Sequence, residues 1–146
     1  MKTRYIQKIE MRQTKVSEKI FKFTEPERIA KSSIVKDELL NSDREKFMAI
    51  CLNTANVVTA YEVVSIGSLT SSIVHPRESY KLAIKSNACS IIFVHNHPSG
   101  NINPSNDDIA ITKRLVEAGK ILGIRVLDHI IVGGDKYFSF SDENLI

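Results

Sequence analysis

Hydrophobic and polar residues along the chain form two kinds of pattern, short runs of β-branched residues and longer stretches with helical spacing. Five runs predict strands, at residues 45–53, 57–66, 90–94, 124–132 and 137–140. The first two runs are joined by Thr54-Ala55-Asn56, which indicates a hairpin. The third run is continuously apolar, which is typical of a strand covered on both faces.

Three further segments carry the signals of helices. The first follows Glu25-Pro26-Glu27 and extends to about residue 41, because proline and acidic side chains suit the first turn of a helix. The second begins at Pro76 and ends near Ser86, and the third covers residues 106–122, before Gly123. Strands and helices in this mixed order predict an α/β domain with three α-β-α layers around a central mixed β-sheet.

The predicted elements begin at residue 25, so residues 1–24 are interpreted as an extension and residues 25–146 as one domain. Seven basic and two acidic side chains lie within residues 1–22, whereas the whole chain has a formal net charge of only +3. Apolar residues alternate with these charges, as at Ile6 and Ile9. We therefore expect an exposed strand pair rather than a nucleic-acid-binding arm.

Composition narrows the class of protein without identifying a function. A chain of 146 residues with 42% hydrophobic and 25% charged residues is typical of one globular domain, which excludes disorder and large multidomain enzymes. The longest apolar stretch, at residues 88–95, is too short to cross a bilayer, so no membrane partner is expected. Cys51 and Cys89 lie in apolar runs without CxxC spacing, and we expect reduced, buried thiols in a cytoplasmic protein.

The strongest candidate chemistry follows the apolar strand predicted at residues 90–94. His95 and His97 are two positions apart, and side-chain alternation along a strand places both imidazoles on the same side of the sheet. Two neutral imidazoles in this arrangement can bind one metal ion. A pair alone is a weak signal, however, and needs a third ligand.

Asp108 is the candidate for that third ligand. Ser105-Asn106-Asp107-Asp108 precedes an apolar helix and predicts a capping box, with Ser105 as N-cap and Asp108 at N3. The apolar stripe of this helix is formed by Ile111, Leu115, Ala118 and Leu122. One step backwards along the stripe reaches Asp108, so we expect Asp108 to face the sheet and Asp107 to face solvent.

Two histidines and one carboxylate leave a position open for water, which is the arrangement of catalytic rather than structural zinc sites. Such chemistry also needs a general base. Glu62 lies in a largely apolar strand, where a carboxylate is costly without a role. Glu78 is the rival, although a place in the first turn of a helix already explains it. The residues alone leave both acids open.

The two remaining histidines have weaker claims to chemistry. His75 precedes Pro76 at a predicted helix start and has no partner ligand at a useful spacing. His129 follows Asp128 in a predicted strand, so only one of these two side chains can face the core side. For His129 we expect a structural or ligand-supporting hydrogen bond rather than catalysis.

Taken together, these residues resemble the JAMM signature of the JAB/MPN metalloprotease superfamily. The similarity consists of Glu62, then His95-x-His97, then Ser105-x-x-Asp108. The surrounding sequence resembles the RadC-like branch of that superfamily, historically named for DNA repair, over most of the chain after residue 25. The segments that show this resemblance are Glu62-Val63-Val64-Ser65-Ile66-Gly67, His75-Pro76-Arg77-Glu78, His95-Asn96-His97-Pro98-Ser99-Gly100 and Asp128-His129.

The resemblance implies a JAB/MPN-like, cytidine-deaminase-like fold in which His95, His97 and Asp108 bind Zn²⁺. It implies further that Glu62, rather than Glu78, takes a proton from the attacking water, and that Ser105 stabilises the oxyanion. The implied activity is that of a metallopeptidase or isopeptidase acting on a peptide or protein substrate. A role in DNA repair rests on the name of the branch alone.

Other functions stay open at this point. The main alternative is a non-catalytic JAB-fold scaffold whose basic extension binds nucleic acid or another partner, and a homo-oligomer is compatible with that extension. Fuller RadC-like chains carry a helix-hairpin-helix module before this domain, and its pattern is not found here, which weakens the nucleic-acid hypothesis. An iron site with the same ligand types is disfavoured by the nearby base. A zinc nucleoside deaminase is disfavoured because no CxxC follows the histidines.

Overall fold

The computed structural model describes residues 5–10, 12–16, 21–70 and 74–146. A five-stranded sheet with the order β2-β1-β3-β4-β5 forms the centre of the fold. Its strands are β1 (Lys46–Leu52), β2 (Val58–Ile66), β3 (Ser90–Asn96), β4 (Arg125–Gly133) and β5 (Lys136–Ser139). Strands β3 and β4 are parallel and the other neighbouring pairs are antiparallel, so the sheet is mixed, as predicted.

Helices cover both faces of this sheet. They are α1 (Pro26–Ala30), α2 (Ser33–Val35) with the π-helical turn Lys36–Leu40 that continues it, α3 (Pro76–Ser79), α4 (Lys81–Lys85) and α5 (Asn106–Leu122). One hydrophobic cluster packs α4 and α5 against one face, and a second cluster packs α1, α2 and the π-helical turn against the other. The three-layer α-β-α architecture is therefore confirmed.

Strand β3 is the most deeply buried element, with every residue from Ser90 to Asn96 classed as buried. Ile91 and Phe93 pack in the cluster beneath α5, whereas Ile92 and Val94 pack in the cluster beneath α1. A strand buried on both faces reads as a continuous apolar run, which explains the pattern in the sequence.

A β-bulge in β4 determines which of its polar residues faces α5. Ile91 of β3 pairs with Val126, but Ile92 pairs with Asp128, so Leu127 is an extra residue. The insertion reverses the side-chain alternation, and His129 therefore pairs with Phe93 and faces the α5 side. Asp128 and His129 lie on opposite faces and are both fully buried, because both faces of the sheet are covered.

Two predicted helices are divided in the structure. The helix predicted for residues 25–41 ends at Ala30, because the Ser32 hydroxyl donates to the Ile29 carbonyl at 2.7 Å and accepts from the Val35 amide at 3.4 Å. The helix predicted from Pro76 is divided at Tyr80. The buried phenol of Tyr80 donates to the Leu115 carbonyl of α5 at 2.6 Å.

The predicted strand pair of the extension is not found in residues 5–10 and 12–16, which contain no strand. Residues 1–4, 11 and 17–20 lie outside the described part of the chain. Lys22 forms an isolated β-bridge with Val57, and the Val58 amide donates to the Phe21 carbonyl at 3.0 Å. The chain thus contacts the start of β2 before it enters α1.

The two thiols differ in their exposure. Cys51 is buried in β1, as predicted, whereas Cys89 is exposed immediately before β3, so the prediction of a second buried thiol was wrong. Within the described ranges, no helix has the length and apolar character needed to span a membrane.

Asn96, the last residue of β3, connects the sheet to the segment that leads into β1. Its Oδ1 accepts from the Lys46 amide at 2.7 Å, and its Nδ2 donates to the carbonyls of Leu39 at 3.1 Å and Arg44 at 2.9 Å. Both residues that flank Glu45 are therefore bound by one buried amide. This arrangement fixes Glu45 beside the end of β3.

We expect the substitution Asn96→Ala to lower the free energy of unfolding by about 2–4 kcal/mol, because three hydrogen bonds are lost and buried groups are left without partners. Ser42→Ala is the control, since Ser42 bonds Arg44 in the same segment but through solvent-exposed hydrogen bonds. Its expected loss is within about 0.5 kcal/mol. Urea denaturation measures both values, and equal losses for the two variants would contradict this role of Asn96.

Candidate metal centre

The end of β3 brings two histidine side chains together. His95 is the penultimate residue of β3 and has a fully buried side chain, while His97 follows the strand and is 13% exposed. Their Nε2 atoms are 2.9 Å apart. The alternation of side chains along β3 thus places both imidazoles on the same side, as the sequence indicated.

Asp108 meets these histidines from the first turn of α5. Its Oδ1 is 3.3 Å from His95 Nε2, and its Oδ2 is 3.3 Å from His97 Nε2. The predicted capping box is also present, because the Asp108 amide donates to Ser105 Oγ at 3.0 Å and the Ser105 amide donates to Asp108 Oδ2 at 2.8 Å. One carboxylate therefore caps the helix and faces both imidazoles.

The separations within this cluster fit a small divalent metal ion. Zinc bonds of about 2.0–2.1 Å to four tetrahedral ligands require neighbouring ligand atoms to lie about 3.3 Å apart. The measured separations are 2.9 Å between the imidazole nitrogens and 3.3 Å from each nitrogen to the carboxylate. Three ligand atoms of His95, His97 and Asp108 converge within 4.8 Å, so this cluster could hold a metal ion.

The electrostatics of the cluster favour a charged carboxylate and shift the pKa values of the two histidines in opposite directions. Burial opposes ionisation of Asp108, but hydrogen bonds from His95 and His97 outweigh it and hold the pKa of Asp108 well below its usual range. The hydrogen bond to Asp108 raises the pKa of His97. Burial lowers the pKa of His95, against the opposing effect of Asp108.

The loop after β3 orients the ring of His97. His97 Nδ1 donates to the Asn101 carbonyl at 2.6 Å, which directs the Nε2 atom at the cluster. The loop packs closely on Gly133 at the end of β4, where a Cβ atom would lie 3.1 Å from the Cα and the carbonyl oxygen of Gly100. Glycine at position 133 thus allows the loop to approach the sheet.

His129 contacts the cluster from β4. Its Nε2 is 2.7 Å from His95 Nδ1, and its ring stacks on Phe140 with centroids 4.6 Å apart. Burial lowers the pKa of His129 well below its ordinary value, which favours the neutral ring. This contact agrees with the hydrogen bond expected for His129. His75 lies at the N-cap of α3 and is not a member of the cluster found among the described residues.

A groove of about 430 Å³ lies beside the cluster. Its lining includes His97 and Asp108, the apolar side chains of Leu69 and Pro98, and the acid Glu45. Ser105 lines the groove as well. The Ser105 hydroxyl already accepts from the Asp108 amide, so its own hydrogen can be donated into the groove.

Glu62, the base expected from the resemblance, does not lie in this groove. Glu62 of β2 pairs with Ala49 of β1, whereas His95 of β3 pairs with Phe47 of β1. Two strand spacings and two residue rises place the Cα atoms of Glu62 and His95 about 12 Å apart. Lys81 of α4 forms an ion pair with Glu78 at 2.9 Å, and the charge of Glu62 adds a smaller electrostatic effect on the same lysine.

Glu45 is the acid that the sequence analysis missed. It precedes β1, and its Oε2 accepts from the Leu69 amide at 3.2 Å, which holds the carboxylate at the groove. Its charge acts on both His95 and His97. The antiparallel pairing of β1 with β3 puts the start of β1 beside the end of β3, a neighbourhood that depends on strand order.

Comparison with known proteins finds relatives that share the name UPF0758 protein. A UPF0758 protein of Desulforamulus reducens is 56% identical over 113 residues, which cover 77% of this chain and 50% of that relative. A UPF0758 protein of Desulforudis audaxviator is 54% identical over 114 residues, which cover 78% of this chain and 50% of that relative. For a UPF0758 protein of Methanosarcina barkeri the identity is 48% over 114 residues, with the same two coverages.

The chain thus spans about half the length of the curated relatives it matches. The family model described as RadC-like JAB domain matches residues 23–145, which is most of the chain and includes the whole histidine and aspartate cluster. The mixed sheet between helical layers agrees with that match. The chain belongs to the RadC-like JAB domain family.

Proposed function

We propose that this domain is a zinc-dependent hydrolase that cleaves a peptide or isopeptide bond. The observation that carries the proposal is the convergence of two imidazole nitrogens and a carboxylate at a groove that also contains Glu45. A three-ligand set beside a groove leaves room for water and substrate, as catalytic zinc sites require. The choice of a peptide or isopeptide bond follows from the resemblance to JAB/MPN metalloproteases.

In this proposal His95, His97 and Asp108 hold the ion. When bound, zinc supplies a Lewis acid that brings the pKa of a water close to about 7 and polarises the substrate carbonyl. Burial of His95 and Asp108 excludes bulk water from the side of the cluster opposite the groove.

Glu45 is the proposed general base. Its carboxylate accepts a proton from the attacking water while the water oxygen bonds to the carbonyl carbon. The Ser105 hydroxyl donates to the carbonyl oxygen as negative charge develops there. When the carbon–nitrogen bond breaks, Glu45 returns the proton to the leaving amine, so it ends the cycle ionised.

Metal binding is expected to depend on the three cluster residues. Wild-type protein should bind one equivalent of Zn²⁺, and His97→Ala and Asp108→Asn should each weaken binding at least about 100-fold, because a ligand is lost. Asparagine at position 108 retains an acceptor for the Ser105 amide, so α5 stays capped. Competition with a chromophoric chelator measures the affinities.

His75→Ala is the matched control for the loss of a histidine, because His75 lies outside the cluster. The zinc affinity of this variant should equal that of the wild-type protein. Wild-type zinc affinity in the Asp108→Asn variant would remove Asp108 as a ligand.

The affinity for zinc should rise with pH. Asp108 raises the pKa of His97, so a proton occupies its Nε2 up to a higher pH than in an ordinary histidine with a pKa of about 6.5. Zinc must displace that proton, which costs up to about tenfold in affinity for each pH unit below the pKa of His97. Chelator competition between about pH 5.5 and 8, corrected for the chelator's own protonation, measures this slope. A zinc affinity that does not change with pH would contradict the role of His97 as a ligand that must lose a proton.

Conservative substitutions distinguish the two candidate bases, Glu45 and Glu62. Glu45→Gln should lower the rate of cleavage by at least about 100-fold with little change in zinc affinity, because the proton acceptor is lost but the ligands remain. Glu62→Gln should leave the rate near that of wild type. The assay uses the zinc-loaded protein and a mixture of internally quenched peptides that includes lysine-linked isopeptides.

A loss of rate in Glu62→Gln alone would assign the base to Glu62 instead. Tight zinc binding by wild type without cleavage of any peptide in the mixture would favour the non-catalytic scaffold.

A further inference from the structure

We propose that Thr112 and His129 are positioning residues that hold His95 in the tautomer whose Nε2 lone pair faces the metal cluster. The inference concerns the metal site on which the proposed function rests, but it needs no assumption about the reaction. It is carried by a chain of hydrogen bonds that leads from the backbone of α5 through β4 to β3.

The direction of the chain is set at its backbone end. The Thr112 hydroxyl lies 2.7 Å from the Asp108 carbonyl, which can only accept, so the single hydroxyl hydrogen is donated there. Thr112 Oγ1 is also in hydrogen-bond contact with His129 Nδ1. Since its hydrogen is already used, Oγ1 must accept in this second bond. The hydrogen between the two residues therefore belongs to His129 Nδ1.

The same logic extends from His129 to His95. A neutral imidazole carries one ring hydrogen, so His129 with a hydrogen on Nδ1 has a bare Nε2. His95 Nδ1 lies 2.7 Å from that Nε2 and must donate to it. The hydrogen of neutral His95 is thereby used on Nδ1, and its Nε2 is left as a lone pair.

The opposite direction would block the site. A hydrogen on His129 Nε2 would make His95 Nδ1 the acceptor and move the hydrogen of His95 to Nε2. That atom lies 2.9 Å from His97 Nε2 and 3.3 Å from Asp108, where a ligand lone pair is required. The direction of the chain therefore decides whether His95 can act as a ligand.

Local structure explains why the direction is fixed. A threonine inside a helix readily bonds the carbonyl four residues earlier, and Thr112 does so with Asp108. The β-bulge at Leu127 turns His129 towards this hydroxyl, and complete burial excludes water that could reverse the bonds. The chain also joins two members of the cluster, since it begins at the backbone of Asp108 and ends at His95.

A purely structural role for His129 is the competing explanation, because its ring contacts Phe47 and Phe140. The substitution Thr112→Val separates the two explanations. It keeps the shape of the side chain at position 112 and all ring contacts of His129, but it removes the hydroxyl that sets the direction. Thr112→Ser is the matched control, because it restores the hydroxyl.

The first measurement is long-range proton–nitrogen NMR of the imidazole rings in the metal-free protein. We expect His129 to carry its hydrogen on Nδ1 in wild type and in Thr112→Ser, and to shift towards the Nε2 form in Thr112→Val. A hydrogen on Nε2 of His129 in wild type would overturn the inference. This readout needs only the wild-type protein, so it stands even where the valine variant does not fold.

The second measurement is zinc affinity by chelator competition. Thr112→Val should bind zinc about 10–100-fold more weakly than wild type, as expected when a partner of a ligating histidine is lost, and Thr112→Ser should bind close to wild type. Equal affinities in the valine variant and wild type would overturn the inference, as would wild-type protein that binds no zinc. Neither measurement depends on cleavage. A protein without hydrolase activity could still show the expected tautomer and zinc affinities, so failure of the proposed function and failure of this inference can be distinguished.

Discussion

The carboxylate of Asp108 is bound at the same time by the first turn of α5 and by two imidazoles at the end of β3. It therefore fixes the start of α5 to the centre of the sheet. A capping box alone would hold the carboxylate against its own helix. The additional contacts with His95 and His97 keep it ionised and aimed across the interface, so helix capping and the candidate metal site depend on one side chain.

Several parts of the sheet converge on that interaction. Parallel pairing of β3 and β4, with the bulge at Leu127, places His129 behind His95. Antiparallel pairing of β1 and β3 brings Glu45 to the groove, and Asn96 secures the residues on both sides of it. The site thus combines residues that are far apart in the sequence, and His95, Asp108 and Glu45 each lie at or beside the end of a strand or helix.

The sequence predicted the elements whose signals are local. The helix α5 extends from Asn106 to Leu122, between the caps Ser105 and Gly123 that the sequence indicated. His95, His97 and Asp108 meet because strand alternation and the helical stripe both predict the same location. Glu45 could not be found this way, since its proximity depends on which strand lies beside β3. The divided first helix escaped prediction because Ser32 closes one helix and caps the next, a choice that helical periodicity does not reveal.

X-ray absorption at the zinc edge reports directly whether two imidazoles and one carboxylate hold a zinc ion in this domain. For the zinc-loaded protein we predict four nitrogen or oxygen neighbours at about 2.0–2.1 Å, with multiple-scattering features from two imidazoles. A sulfur neighbour at about 2.3 Å, or a site of oxygen atoms without imidazole, would exclude His95, His97 and Asp108 as the ligand set.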